Sequence, residues 1–345
     1  MSSPAVSIVI PTYNRAAYLL DAIRSVQRQS RTDWELIVVD DDSTDGTRDL
    51  LAPLADDDAR IRVIGNRQPC GPAGARNSGI AECRAEWVAF LDSDDRWEAE
   101  KLACFLEAAE CDPEAVLIGS DYWIVDRTAG TRQTMLEFIA GTMLPWWEGD
   151  PIVAPAIPWR AIKASPAALA GRDAMIAAAI SGFLWLHSSS AMVRRSALIR
   201  LGGFDETLPQ TEDIDLWLRL AEIGPTALIP RPLATYDRTG QEAGAGDRYA
   251  AQDPARTQTR YVSRLCHLRL LRTIGRRHRL SLAQRIFLLE RTAARRRACA
   301  AAAGEAGDGF ARLRHLVFAN ILVPIPFFWL QALRLRRRLA RPRKS

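Results

Sequence analysis

A chain of 345 residues, 48% hydrophobic and 25% charged, carries a substantial core and has room for one large α/β domain with an appendage or for two ordinary domains. Its six cysteines lack C-x-x-C or metal-type spacing, which argues against a disulfide framework or zinc site and fits reduced thiols in a cytoplasmic setting. The net charge of +5 hides an asymmetry: from about residue 255 onward there are 22 basic residues against 3 acidic ones, so an acidic body precedes a strongly basic tail. Such a tail points to an anionic surface, and without interleaved aromatics or nucleic-acid motif spacing the expected partner is a membrane face, not nucleic acid.

The opening MSSPAVSIVIP has no basic n-region and does not resemble a signal peptide. Residues 6–10 (VSIVI) predict a strand closed by Pro-Thr-Tyr-Asn, followed by a helix over 16–29 with apolar residues at Leu19, Leu20, Ile23 and Val26. A second strand at 34–39 ends in DDDSTDGT, a turn rich in capping residues, before a helix from about Arg48. A strand at 61–64, a helix over 75–83 and a strand at 87–91 follow, then a helix starting near Trp97 and a strand over 115–125. This alternation predicts parallel βαβ units with helices on both faces.

Between about 126 and 180 the pattern weakens among five prolines and Trp146, Trp147 and Trp159, and an insertion or lid is expected over 126–187. Regular character returns with a strand at 188–193, a Gly202-Gly203 turn and a helix over 213–223. From about 256 the chain reads as Arg-rich helix. There is no internal repeat.

In open parallel sheets ligands lie outside the carboxyl ends of the strands. Here those ends are PTYN, DDDS and, within FLDSDDRW, Asp92-Ser93-Asp94-Asp95. Three crowded carboxylates are costly unless a cation, a basic ligand or water compensates them. A bound divalent metal accounts for them, and so does a solvated turn capping the next helix.

Taken in order, SIVIPTYNR, VVDDDSTDGT, GPAGARNSGI, FLDSDDRW, GGFDE and TEDIDLWLRL resemble glycosyltransferase family 2, over roughly residues 5–235. The resemblance implies a GT-A fold, a Rossmann-like, mainly parallel sheet with helices on both faces, in a catalytic domain over 1–255. Residues 256–345 would form a helical, basic, membrane-associating tail. It implies an inverting, metal-dependent transfer from a nucleoside diphosphate-sugar, with UDP the expected nucleotide, to a hydroxyl of a glycan or lipid-linked acceptor at the cytoplasmic membrane face.

By the same resemblance, Asp41 binds the base, while Pro11, Thr12 and Tyr13 flank the nucleotide; a turn packed in the core is the other reading of Tyr13. Arg76, in a small-residue loop entering a helix, contacts the diphosphate or sugar, against the plainer reading of a Gly-rich turn. Asp94 is the direct ligand of Mg²⁺ or Mn²⁺, with Asp92 and Ser93 on the donor and Asp95 capping the next helix. Asp213 is the general base, next to Glu212 on the substrate side, against a helix-capping role for Thr211 or Asp213. Asp215 points elsewhere, solvated or paired, and Trp217 and Leu218 belong to the core.

One departure stands out. The Y-R-x-H-like run that supplies a metal-binding histidine in many relatives reads here Thr235-Tyr236-Asp237-Arg238-Thr239-Gly240-Gln241. Water or Asp237 is expected instead, and His187 is read as acceptor-side or core. Two rival functions fit the sequence less well. A sugar-1-phosphate nucleotidyltransferase would carry a G-x-G-x-R loop where this chain has Pro-Thr-Tyr-Asn, and a non-catalytic nucleotide-sugar binding protein would not need Arg76, Asp94 and Asp213 together. Residues 316–333 are uncharged, are interrupted by Pro324 and Pro326, and lie between arginine clusters, so a re-entrant or interfacial segment is expected over a single crossing.

Overall fold

The computed structural model describes residues 3–150, 154–181, 184–208, 210–237, 268 and 270–305. The strands are β1 (Val6–Thr12), β2 (Trp34–Asp40), β3 (Ile61–Gly65), β4 (Trp87–Phe90), β5 (Arg96–Trp97), β6 (Leu117–Asp126), β7 (Thr131–Thr134), β8 (Ala191–Arg194) and β9 (Thr226–Asp237). They form one sheet in the order β3-β2-β1-β4-β8-β6-β9-β5, with β7 paired to β6.

The first four strands are parallel, as the βαβ alternation predicts. Beyond β4 the sheet becomes mixed: β8 runs antiparallel to β4 and β6, β9 parallel to β6, and β5 antiparallel to β9. Buried apolar runs such as Ile8–Ile10 and Leu36–Val39 mark strands covered on both faces. The helices Ala16–Gln27 and Pro72–Glu82 turn Leu19, Ile23, Val26, Ala75 and Ile80 into the core. The latter lies so close to the sheet that a Cβ at Gly79 would come within 2.4 Å of Val9 Cγ1. A larger residue there would push the loop ahead of this helix away from the strand ends.

Register sets the site. Thr12 pairs with Asp40 and Val9 with Phe90, so the loops leaving β1, β2 and β4 open on one edge. Two expectations change at this edge. Trp97 does not begin a helix: Arg96 and Trp97 pair with Thr235 and Ala234 of β9, and the helix starts at Lys101. The strand expected from Ser188 begins at Ala191, because Ser188–Ser190 form a short turn in which Ser190 Oγ donates to the His187 carbonyl at 2.8 Å. Serine hydroxyls bonded locally in this way compete with a ladder.

The described residues of the stretch expected as an insertion or lid contribute to the core. Trp147 is fully buried and the helix Arg172–Ser181 buries Met175, Ile176 and Ile180 in the shared core. Leu270, Leu271, Ile274, Phe287 and Leu288 join the same core. Arg277 reaches Asp215 at 3.3 Å, and His278 Nδ1 lies 2.8 Å from Glu222. Among the described residues no helix is long and apolar enough to cross a membrane. The uncharged segment 316–333 and residues 238–241 lie outside the described residues.

Candidate active site

At the end of β2, the buried Asp41 accepts hydrogen bonds from Asn66 Nδ2 at 2.7 Å and Gly71 N at 2.8 Å. It thereby ties the loop ahead of Arg76 to the sheet edge. Asn14, in a left-handed conformation at φ 51°, joins the first and second loops: its side-chain oxygen accepts from Thr44 N at 2.7 Å and its N–H donates to Ser43 Oγ at 3.0 Å. Pro11 and Tyr13 are half-buried on this edge. Thr12 is buried, and its hydroxyl has no partner among the described residues.

Arg76 is not a loose surface cation. It is 4% exposed, and its two terminal nitrogens each lie 2.7 Å from a carboxylate, Nη1 on Glu212 Oε1 and Nη2 on Asp92 Oδ1. Its Cζ also sits 5.3 Å from the centre of the Phe204 ring. Burial works against its charge, but Asp92 and Glu212 outweigh it and hold the guanidinium firmly protonated. The next residue, Asn77, clamps the Gly202-Gly203 turn, donating to the Phe204 carbonyl and to Glu206 and accepting from Phe204 N. Gly203 has φ 71°, and a Cβ there would meet Asn77 Oδ1 at 2.3 Å. The A-R-N and G-G-F-D-E motifs thus form one contact.

The acids after β4 differ among themselves. Burial pushes the Asp92 carboxyl upward, but Arg76, His187 and Arg15 outweigh it and hold it below the usual carboxylate value. Asp94 is raised by burial and by Asp92, with Arg15 opposing. Asp95 is raised further, by burial and by Asp94 and Asp92. Asp95 does not cap the next helix as expected; it is 1% exposed, bonded to the Ser189 hydroxyl and to Asp237 N at 3.3 Å. Ser93 is buried between its acidic neighbours.

His187, expected to be acceptor-side or core, comes instead against this turn, with Nδ1 3.4 Å from Asp95 Oδ2 and Nε2 3.7 Å from Asp92 Oδ2. Burial lowers its pKa, with Asp92 opposing, which favours the neutral imidazole that metals bind. Among the described residues, Asp92, Asp95 and His187 are the group whose donor atoms converge to metal-holding distance, all within 4.8 Å. Asp237, the expected substitute for the missing histidine, has its carboxylate on Arg96 at 3.0 Å and Arg127 at 2.9 Å. Carboxylates crowded enough to raise one another, beside a neutral imidazole, fit a divalent cation such as Mn²⁺.

Asp213 opens the helix Glu212–Ala221 after Thr211, whose φ of 69° is unusual for a β-branched residue. Neither side chain caps the helix as the plainer reading had it: Thr211 makes no side-chain capping bond, and Asp213 bonds only the adjacent Ile214 N–H at 2.7 Å. Burial first, then Glu212, push Asp213 up to about 7, with Arg76 opposing. Asp215 is 1% exposed and pairs with Arg219 at 2.7 Å, while Trp217 and Leu218 are core. Tyr122 and Tyr236 wall the site, their ring centres 5.9 and 4.6 Å from that of His187.

Residues 7–158 match the family described as Glycosyl transferase family 2, and residues 165–270 the one described as Glycosyltransferase like family 2. The chain is 46% identical over 104 residues to the putative teichuronic acid biosynthesis glycosyltransferase TuaG of Bacillus subtilis (strain 168), covering 30% of this chain and 41% of that protein. It is 43% identical over 102 residues to the UDP-Glc:alpha-D-GlcNAc-diphosphoundecaprenol beta-1,3-glucosyltransferase WfgD of Escherichia coli, covering 30% and 40%. These alignments span about two fifths of the length of each relative. The fold is similar to that of the mannosyltransferase PcManGT from Pyrobaculum calidifontis, solved with GDP-Man and Mn²⁺, at TM-score 0.55 and 18% identity over 95% of this chain and 84% of that one.

Proposed function

The chain belongs to glycosyltransferase family 2, and from its site we infer that it transfers a sugar from a nucleoside diphosphate-sugar to a hydroxyl acceptor with inversion at the anomeric carbon. The observation that carries this reading is the Arg76 bridge. One buried guanidinium holds Asp92 of the D-x-D turn and Glu212, the neighbour of Asp213, at 2.7 Å each. In this reading the acceptor oxygen attacks the anomeric carbon opposite the diphosphate, its proton passes to the Asp213 carboxylate, and the carbon–oxygen bond to phosphate breaks. The nucleoside diphosphate leaves with the bonding pair. A carboxyl raised to about 7 is matched to accepting that proton near neutral pH.

Asp92, Asp95 and His187, whose donor atoms converge, together with Asp94, the ligand the resemblance implies but not a member of that converging group, would hold Mg²⁺ or Mn²⁺, which when bound neutralises charge building on the departing diphosphate. Asp41, Pro11, Thr12 and Tyr13 are assigned to the nucleoside, and Ser93 and Glu212 to the donor side of the pocket. UDP as nucleotide and a lipid-linked or cell-surface glycan as acceptor draw support from the name of the E. coli relative. In this reading the protein works on such an acceptor at the cytoplasmic membrane face, where the basic residues after 256 would meet anionic lipid.

The test is release of nucleoside diphosphate from UDP-glucose, UDP-GlcNAc and GDP-mannose with Mn²⁺, comparing wild type with Asp213→Asn. The variant is expected to keep UDP affinity within a few-fold and to lose roughly 10² or more in turnover. Wild-type turnover in the variant removes Asp213 as the base. A wild-type protein that neither binds nor cleaves any of these donors overturns the whole reading.

A further inference from the structure

Two arginines reach the acidic turn after β4, and they differ in how their donors are used. Arg76 has both terminal nitrogens on carboxylates at 2.7 Å, and its buried Nε alone has no partner among the described residues. Arg15, which leads into the helix Ala16–Gln27, has a side chain 9% exposed, yet among the described residues its guanidinium makes no hydrogen bond. Its ionic neighbour is Asp94, with Nη2 3.6 Å from Oδ2, too long for a hydrogen bond. Its other close partner is the face of Tyr18, 5.8 Å from Cζ to the ring centre.

A guanidinium offers five N–H donors in a planar fork, and those of Arg15 are not among the fully buried unpartnered atoms, so they remain open to an arriving acceptor. The backbone on both sides of it is held in place. Asn14 is locked to Ser43 and Thr44, and the Ala16 N–H donates to Asp45 Oδ2 at 3.1 Å, so the residues on both sides of Arg15 are anchored to the loop after β2. On the same edge the buried Thr12 hydroxyl is without a partner among the described residues. A positive fork open to solvent and free of hydrogen bonds, with that buried hydroxyl on the same edge, suits an anion with several oxygens.

We propose that Arg15, and not Arg76, is the side chain that takes the diphosphate of the donor; this rests on the nucleotide-sugar reading above. Arg76 is already neutralised on both sides, and moving it to phosphate would strand Asp92 and Glu212 in a buried place. Arg15 strands nothing comparable, since its tie to Asp94 is long and Asp94 is the acid assigned to the metal. The planar fork matches two phosphate oxygens at once, which a lone ammonium does not. The site therefore selects donors activated by a diphosphate over those carried on a single phosphate, and Arg15 is the residue that makes the difference.

The experiment is calorimetry in Mn²⁺ with uridine, UMP and UDP, and with guanosine, GMP and GDP, on the full chain as wild type, Arg15→Gln and Arg15→Lys. Arg15→Gln is expected to weaken the diphosphate by about 10-fold or more, the monophosphate less, and the nucleoside not at all, with Arg15→Lys in between. Affinity for Mn²⁺ alone should stay level or rise, since a cation beside Asp94 has gone. Equal weakening of nucleoside, monophosphate and diphosphate would show that Arg15 only holds the turn in shape, and a diphosphate affinity within two-fold of wild type would overturn the inference outright. Should the Gln variant not fold, as judged by circular dichroism, the Lys variant carries the same comparison. A wild-type protein that binds neither UDP nor GDP removes the donor reading and the inference with it, whereas wild-type binding with an indifferent Arg15 removes the inference alone.

Discussion

In the turn after β2 the carboxylates have donors of their own. Asp40 takes the Ser43 N–H at 3.1 Å and the Arg48 guanidinium, Asp41 takes Asn66 and Gly71, and Asp45 takes the Ala16 N–H and both the N–H and hydroxyl of Thr47. Burial works to raise Asp45, but those bonds outweigh it and hold its carboxyl below the usual value. In the turn after β4 only Asp92, buried but held by Arg76, stays below the usual value: Asp94 is raised by burial and by Asp92, Asp95 by burial, Asp94 and Asp92, and across the cleft Asp213 is raised to about 7. Carboxylates with enough donors hold loops together. Carboxylates short of donors are kept ready for a cation or a proton, which separates scaffold from chemistry in two runs of similar composition.

The hardest way to break this contrast is to remove the one strong compensating charge on the second side. Arg76→Leu leaves Asp92 and Glu212 buried without their partner and should cost about 3–5 kcal/mol, read from urea unfolding. A loss below about 1 kcal/mol would mean that water already compensates these acids.

The next largest effect is the pH dependence of Asp213. A base must be deprotonated, so kcat/KM should rise with pH through a midpoint near 7 and fall about tenfold per unit below it, while Asp213→Asn is about 10²-fold slower and flat over this range. The stability sign is the opposite. A carboxyl raised in the folded state contributes stability below its ordinary value near 3.8 and loses it as pH rises through about 7. Asp213→Asn should therefore melt about 2 °C or more above wild type at pH 8, with the gap closing toward pH 5. A variant no more stable at pH 8 would show that Asp213 is not held at a cost.

Asp94→Asn, or chelation of the metal, should lower UDP affinity by about tenfold or more in calorimetry and leave affinity for uridine unchanged. The smallest effect belongs to the first turn. Asp45→Ala should cost about 1–2 kcal/mol of stability through its lost backbone bonds and leave UDP affinity unaltered. A large loss of nucleotide binding in that variant would erase the distinction between the two turns.

Much of the amino-terminal half was legible in the residues. Apolar runs ending at polar clusters located β1 to β4, and the open-sheet rule brought PTYN, DDDS and DSDD to one edge, where they lie. The resemblance of TEDIDLWLRL then singled out Asp213 as the acid to watch. Trp97 reads as a helix start yet lies in a strand, because a strand of two residues carries no period of its own and exists only by pairing with β9. Arg15 stood in the quoted SIVIPTYNR without an assignment, since nothing in its neighbours reveals that its donors are unspent.

By itself the sequence determined the parallel half of the sheet, the D-x-D turn and the identity of the acids, because strands, turns and caps answer to spacings of a few residues. Only the tertiary structure decided what those acids meet. The Arg76 to Glu212 bridge spans 136 residues and the Ser189 to Asp95 bond 94. Both depend on β8 and β9 crossing back into the sheet beside β4 and β6, a strand order that no local pattern encodes. The same crossing sets His187 against Asp92 and Asp95 while Asp237 goes to Arg96 and Arg127. Which charges are paired and which are left short is a property of packing, and that property divides the acids here into scaffold and chemistry.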